Sequence, residues 1–173
     1  MILVLIGYMG SGKSLIGNTL AEKIGYDYLD LDAYIEEQEK KTIKDIFQDH
    51  GEIYFRKKET IYLKEVLANF ENTVLALGGG TPCFAGNLEF IQQKSNATTV
   101  YLQTSLDELT QRLYAEKEKR PLIAHLESHE ALKDFIRKHL FERSFYYSQS
   151  THKVNTDQKH PEEISKEIQA ALF

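Results

Sequence analysis

The sequence predicts an α/β protein: three layers, with a parallel sheet of five strands between helices. Three observations carry that prediction. Apolar runs of about five residues alternate with longer amphipathic stretches, the pattern of strands buried on both faces and joined by crossover helices. The first run, ILVLI at 2–6, passes through the glycine-rich GYMGSGK straight into the helix-like SLIGNTLAEK. No linker, repeat or low-complexity segment interrupts the 173 residues, so a single domain, 1–173, with one layered core is expected.

Taken in order, strands are expected at Ile2–Ile6, Tyr28–Leu31, Thr73–Leu77, Thr99–Leu102 and Lys153–Val154, each a short apolar run. Helices are expected at Lys13–Ile24, Ala33–Glu39, Thr42–Phe70, Gly86–Lys94, Ser105–Lys117, Ser128–Tyr147 and Pro161–Leu172, where apolar residues recur at helical spacing. Gly51 should break the long third helix. Ser105 with Glu108 fits a capping box that starts a helix, and Thr42 with Asp45 is a weaker version. The stretch AEKEKRPLIAHLES, 115–128, is charged and interrupted by Pro121, and reads as a mobile insert between two helices.

Composition narrows the function. With 42% hydrophobic and 27% charged residues the chain is ordinary for a globular protein, and a net charge of -5 argues against nucleic acid as partner. No apolar stretch nears the ~20 residues needed to span a bilayer, and MILVLIG lacks the basic start and cleavage site of a signal peptide. A lone cysteine, Cys83, excludes an internal disulfide and suits a reducing, cytoplasmic setting.

The glycine loop carries the sharpest chemistry. Gly7, Gly12, Lys13 and Ser14 match G-x-x-x-x-G-K-[ST], with a strand before and a helix after. Such a P-loop curls its amides around phosphate, so a nucleotide's phosphates are expected against Gly10, Ser11, Gly12, Lys13, Ser14 and Leu15. Lys13 should reach the terminal phosphates, and the Ser14 hydroxyl should coordinate magnesium. Switches and motors usually add an apolar strand ending in a metal-binding Asp. Here TVLAL ends in Gly78, Gly79 and Gly80, which favours a kinase over a nucleotide-binding switch.

Other residues suit an acceptor. Asp30 and Asp32 in YLDLD lie two apart, so on a strand both would project into the crevice at the strand ends. One would steady magnesium through water and the other would take the acceptor's proton; alternatively Asp32 is a helix N-cap. Arg56, with Glu59 three residues on, makes either a surface ion pair of small worth or a fork that grips a carboxylate. The glycine run is a tight turn or a place where a ligand meets bare backbone. Arg120, on the insert, suits stabilisation of a phosphoryl group in transfer.

Together these pieces resemble the shikimate kinase family along nearly the whole chain. The resemblance lies in GYMGSGKS, YLDLDAYIE, TIKDIFQDHGEIYFRKKE, LALGGGTP, RPLI and RSFYY, in that order. It implies a P-loop NTPase fold of the nucleoside-monophosphate-kinase type, with a lid at about 112–128, substrate helices at about 33–62, and the phosphorylation of shikimate at its 3-hydroxyl by ATP. By position it implies that Asp32 holds the hydroxyls and acts as base, and that Arg56 and Arg143 clasp the carboxylate. Gly79 would donate its N–H to the substrate, with Gly78 and Gly80 beside it; Asp30 would orient magnesium water, and Glu59 would brace Arg56. Lys159 stands where relatives often carry arginine, so Arg112 is expected to share the stacking on adenine. A gluconate or nucleoside monophosphate kinase is the rival reading, disfavoured by the two arginines and the aspartate pair. A monomer is the default expectation.

Overall fold

In the first strand, β1 (Ile2–Ile6), every side chain is buried, and alternate residues feed different cores. Ile2, Val4 and Ile6 join one apolar cluster, while Leu3 and Leu5 join another with Ile16 and Leu20 of α1 (Lys13–Ile24). Successive strand side chains point to opposite faces. An unbroken apolar run is therefore what a strand covered on both sides requires.

The computed structural model describes residues 1–173. Around β1 stand β2 (Asp27–Asp30), β3 (Thr73–Ala76), β4 (Ala97–Gln103) and β5 (His152–Asn155), in the order β2-β3-β1-β4-β5, every pair parallel. The remaining helices are α2 (Leu31–Glu39), α3 (Ile43–Asn69), α4 (Asn87–Gln92), α5 (Leu106–Glu116), α6 (His129–Tyr147) and α7 (Pro161–Leu172). Strand order reverses at β1, so the crevice for a ligand opens at its carboxyl end, where the glycine loop begins.

Five strands and seven helices occur where the sequence predicts them, with instructive shifts. Gly51 breaks α3 with φ 79° and ψ 177°, a backbone that side-chain-bearing residues rarely adopt. Thr42 and Ser105 cap their helices, accepting from the amides of Asp45 and Glu108. The Glu108 side chain does not complete a box, because it pairs with Arg112 instead. A short 3-10 turn, Thr81–Cys83, precedes α4 and was not foreseen.

One bracket fixes α2 against α3. Glu39 of α2 accepts from the hydroxyls of Tyr54 and Tyr62 at 2.9 and 2.6 Å and pairs with Lys58 at 3.0 Å, all three on α3. The hydrogen bond from Tyr62, then that from Lys58, pulls its carboxyl down to about 2.

Candidate active site

The loop from β1 to α1 is an anion cradle made of backbone. Gly10 and Gly12 take φ of 80° and 92°, and Gly12 is the N-cap of α1. The amides of Lys13 and Ser14 stand in the first helical turn, where no intrahelical acceptor exists, and the positive end of the helix dipole adds to them. Lys13 Nζ donates to the carbonyls of Gly7 and Tyr8 at 2.8 and 3.0 Å. Burial brings its pKa down to about 8, opposed by the charges of Asp32 and Asp30. Above the loop lies a cleft of about 660 Å³, lined by Gly10, Gly12, Lys13, Ser14 and Leu15 on one side. The Ser11 side chain is turned inward and buried beside Gly7, so this residue meets the loop through its main chain.

The aspartates reach the same cleft by a different route from the one expected. β2 ends at Asp30, and Asp32 already belongs to the first turn of α2. Asp30, not Asp32, is the N-cap: its Oδ1 accepts from the amides of Asp32 and Ala33 at 2.9 and 3.2 Å. The strand-parity argument therefore fails, yet the cap turn aims both carboxyl groups into the cleft. Burial, then the negative charges of Asp30 and Glu59, pushes the Asp32 carboxyl up to about 6. Ser14, Asp30 and Asp32 together offer this space only hard oxygen donors.

A second cleft of about 400 Å³ adjoins the first and holds the cations. Arg56 Nη1 donates to Glu59 Oε2 at 2.9 Å, and the guanidinium lies over the rings of Phe84 and Phe55 at 4.1 and 5.2 Å. The pair is no surface contact, since the Glu59 side chain is 1% exposed. Arg143 lines the same cleft, its guanidinium 5.6 Å from the centre of the Tyr8 ring. The Tyr8 hydroxyl pairs with His139 Nδ1 at 2.8 Å, and the Tyr147 hydroxyl donates to the Gly79 carbonyl at 2.5 Å. His139, Arg143 and Tyr147 are spaced by four along α6 and share one face.

The glycine run is bare where three charged side chains lean on it. None of Gly78, Gly79 and Gly80 has a positive φ. A Cβ at Gly78 would stand 3.2 Å from Asp32 Oδ1, one at Gly79 3.1 Å from Arg143 Nη1, and one at Gly80 2.6 Å from Arg56 Nη2. The amides of Gly79 and Gly80 donate to no backbone acceptor.

The far ends of the site are closed by α5 and the last loop. α5 runs to Glu116, so the expected insert begins inside a helix, and Ile123 anchors its middle in the core. Arg120 lines both clefts and is held by Glu116 Oε1 at 3.1 Å from Nε and 2.8 Å from Nη2. Arg112 donates to the carbonyls of Gly10 and Thr156. With Lys159 it lines a smaller pocket beside the glycine loop, where Lys159 is paired to Glu167 at 2.8 Å.

This arrangement of glycine cradle, aspartate pair and clustered arginines has known counterparts. A family model described as Shikimate kinase matches residues 9–173. The chain belongs to the shikimate kinase family. A shikimate kinase of Flavobacterium johnsoniae is 47% identical over 166 residues, covering 96% of this chain and 95% of that one. The crystal structure of shikimate kinase from Bacteroides thetaiotaomicron superposes with a TM-score of 0.90 at 36% identity, covering 99% and 98% of the two chains. The shikimate kinase of Acinetobacter baumannii, in complex with shikimate, gives a TM-score of 0.86 at 34% identity, covering 99% of this chain and 92% of that chain.

Several residues of this site were not singled out in the sequence, namely Thr81, Tyr8, His139 and Glu116, whereas Tyr147 entered with RSFYY as the Tyr four residues after Arg143. Two signals were present in the sequence. His139 and Tyr147 flank Arg143 at one helical turn on either side, and Glu116 precedes Arg120 by four.

Proposed function

We propose that this chain transfers the γ-phosphate of ATP to the 3-hydroxyl of shikimate, giving shikimate 3-phosphate and ADP on the route to aromatic amino acids. The observation that carries the mechanism is the shared wall: Met9, Asp32, Gly78, Gly79 and Arg120 line both clefts. An acceptor gripped in one cleft therefore faces the terminal phosphate held in the other across Asp32.

In this reading the P-loop amides and Lys13 hold the phosphates, with Arg112 and Lys159 toward the base. Arg56 and Arg143 grip the acceptor's carboxylate from two elements, the fork geometry for which guanidinium is suited. The acceptor hydroxyl lies between Asp32 and the γ-phosphorus. A carboxyl with a pKa of about 6 is ionised at neutral pH and basic enough to take the proton as the oxygen attacks. Lys13 and Arg120 offset the charge that develops on the phosphoryl group in flight. The segment about 112–128 acts as a lid: Arg120 exchanges Glu116 for phosphate, and Leu122, exposed beside the acceptor cleft, comes down to exclude water.

The Ser14 hydroxyl and Asp30 suit magnesium, which takes few protein oxygens and completes its shell with water and phosphate. Held there by Ser14 and Asp30, the ion would supply positive charge against the phosphates. The cytoplasm is the proposed location; no helix is long and apolar enough to cross a membrane.

A coupled ADP-release assay over shikimate, gluconate and nucleoside monophosphates tests the reading. Turnover is expected with shikimate alone, and preference for either of the other acceptors overturns it.

A further inference from the structure

Thr81 is fully buried at the start of the 3-10 turn after the glycine run, and the reaction described above does not use it. Its hydroxyl has one proton to donate, and two carboxylates stand near. A Cβ at Gly78 would lie 3.1 Å from Thr81 Oγ1 and 3.2 Å from Asp32 Oδ1. The proton goes to Glu59: Oγ1 lies 2.6 Å from Oε1, while Oε2 of the same carboxylate accepts from Arg56 at 2.9 Å. A glutamate's last torsion is broad and easily turned. Bonds at both oxygens confine it, and so fix the direction in which Oε2 meets the guanidinium.

Thr81 is itself held in place. Asn87 Nδ2 donates to the Thr81 carbonyl at 3.0 Å, and the Thr60 hydroxyl donates to Asn87 Oδ1 at 3.0 Å. A carbonyl only accepts, so the amide has one workable orientation here. Thr60 follows Glu59 on α3, and the turn is therefore fastened to that helix at adjacent residues, by a buried bond at Glu59 and a half-buried one at Thr60.

We propose that Thr81 is a positioning residue for recognition of the acceptor's carboxylate: its hydroxyl fixes Glu59, and Glu59 fixes the guanidinium of Arg56. The inference rests on the acceptor reading above, in which Arg56 grips that carboxylate. Valine in place of threonine keeps the shape and removes the donor, leaving a buried carboxylate oxygen without a partner. Serine keeps the donor and loses only a methyl group.

Steady-state kinetics with ATP and shikimate on Thr81→Val, Thr81→Ser, Glu59→Gln and the Thr81→Val/Glu59→Gln double variant test it, with thermal melts as the check on folding. Thr81→Val is expected to raise KM for shikimate roughly tenfold, the scale of a lost hydrogen bond to a charged group, with kcat and KM for ATP little changed. Thr81→Ser should restore the wild-type KM, and in the Glu59→Gln background the valine should add little. If Thr81→Val melts below the assay temperature, Thr81→Cys, of similar size with a far weaker donor, takes its place. An unchanged KM for shikimate, equal losses for both substrates, or a serine variant as impaired as the valine one overturns the inference. A wild-type protein inert toward shikimate sinks the acceptor reading as well, which distinguishes the two failures.

Discussion

The two clefts are built on opposite plans. The floor of the phosphate cleft is made from consecutive residues, Gly7 to Ser14, whose chief instruments are main-chain amides and one lysine folded back on the loop, while Asp30, Asp32, Gly78, Gly79, Arg112 and Arg120 complete its walls. The acceptor cleft is assembled from α2, α3, the glycine turn, the segment 119–122 and α6, and its arginines are flanked by other side chains: Arg56 by Glu59 and Phe84, Arg120 by Glu116, Arg143 by Tyr8. Backbone can cradle any polyphosphate, which suits a site shared by many enzymes. Selectivity for one acceptor has to come from the side-chain half, and that half is the more sensitive to small displacements.

Asp32, on the wall between them, should show the largest effect. Asp32→Asn is expected to lose at least about a hundredfold in kcat, the scale of a general base, while ATP binding measured by titration stays close to normal. Near-normal turnover would place the base elsewhere.

The glycine turn separates the halves next. Gly80→Ala puts a methyl group where Arg56 Nη2 would be 2.6 Å away, so the guanidinium must shift. A rise of about tenfold or more in KM for shikimate is expected, since slight misplacement of a binding group is costly, with KM for ATP unchanged. Equal effects on both substrates would show that the turn serves the fold and not the acceptor.

The pH profile of kcat/KM reads one group from each plan. Asp32, raised to about 6, must be ionised, so activity falls as pH drops through that value. Lys13, lowered to about 8, must be charged, so activity falls as pH rises through it. In Asp32→Asn the acidic limb should vanish from the residual activity and the alkaline limb remain.

The smallest expected effect lies in the bracket beneath the acceptor helices. Tyr62→Phe removes the shorter of the two tyrosine bonds to Glu39 and should cost about 1 kcal/mol of stability in denaturant melts. The Glu39 carboxyl is depressed in the folded state, so its contribution is present above the usual carboxylate range and fades as pH falls toward about 2. The loss in Tyr62→Phe should therefore be clear at neutral pH and shrink in acid.

The contrast also explains what could be read from the sequence. The P-loop was legible because its chemistry demands a fixed spacing along one strand, turn and helix. The sheet was legible because ILVLI and its counterparts must satisfy two cores at once. The acceptor cleft was legible only in part: Arg56 and the glycine run offered themselves as candidates, Arg143 came by resemblance and Thr81 not at all, since these residues come together through tertiary packing that no spacing encodes. Asp30 and Asp32 mark the middle ground: both were singled out, but the helix begins at Leu31, and the cap at Asp30, not strand pleat, aims Asp32. For Glu59 the spacing left a surface partner and a brace for Arg56 both open, because an i, i+3 pair carries no information about burial; its partner Thr81 lies 22 residues away.

The central claim is that the phosphoryl group passes directly between two ligands that meet across Asp32. ATP made chiral at its γ-phosphorus with oxygen isotopes tests it in one measurement. Direct in-line transfer predicts inverted configuration at phosphorus in shikimate 3-phosphate, whereas retention, as from a phosphorylated aspartate on the way, would contradict it.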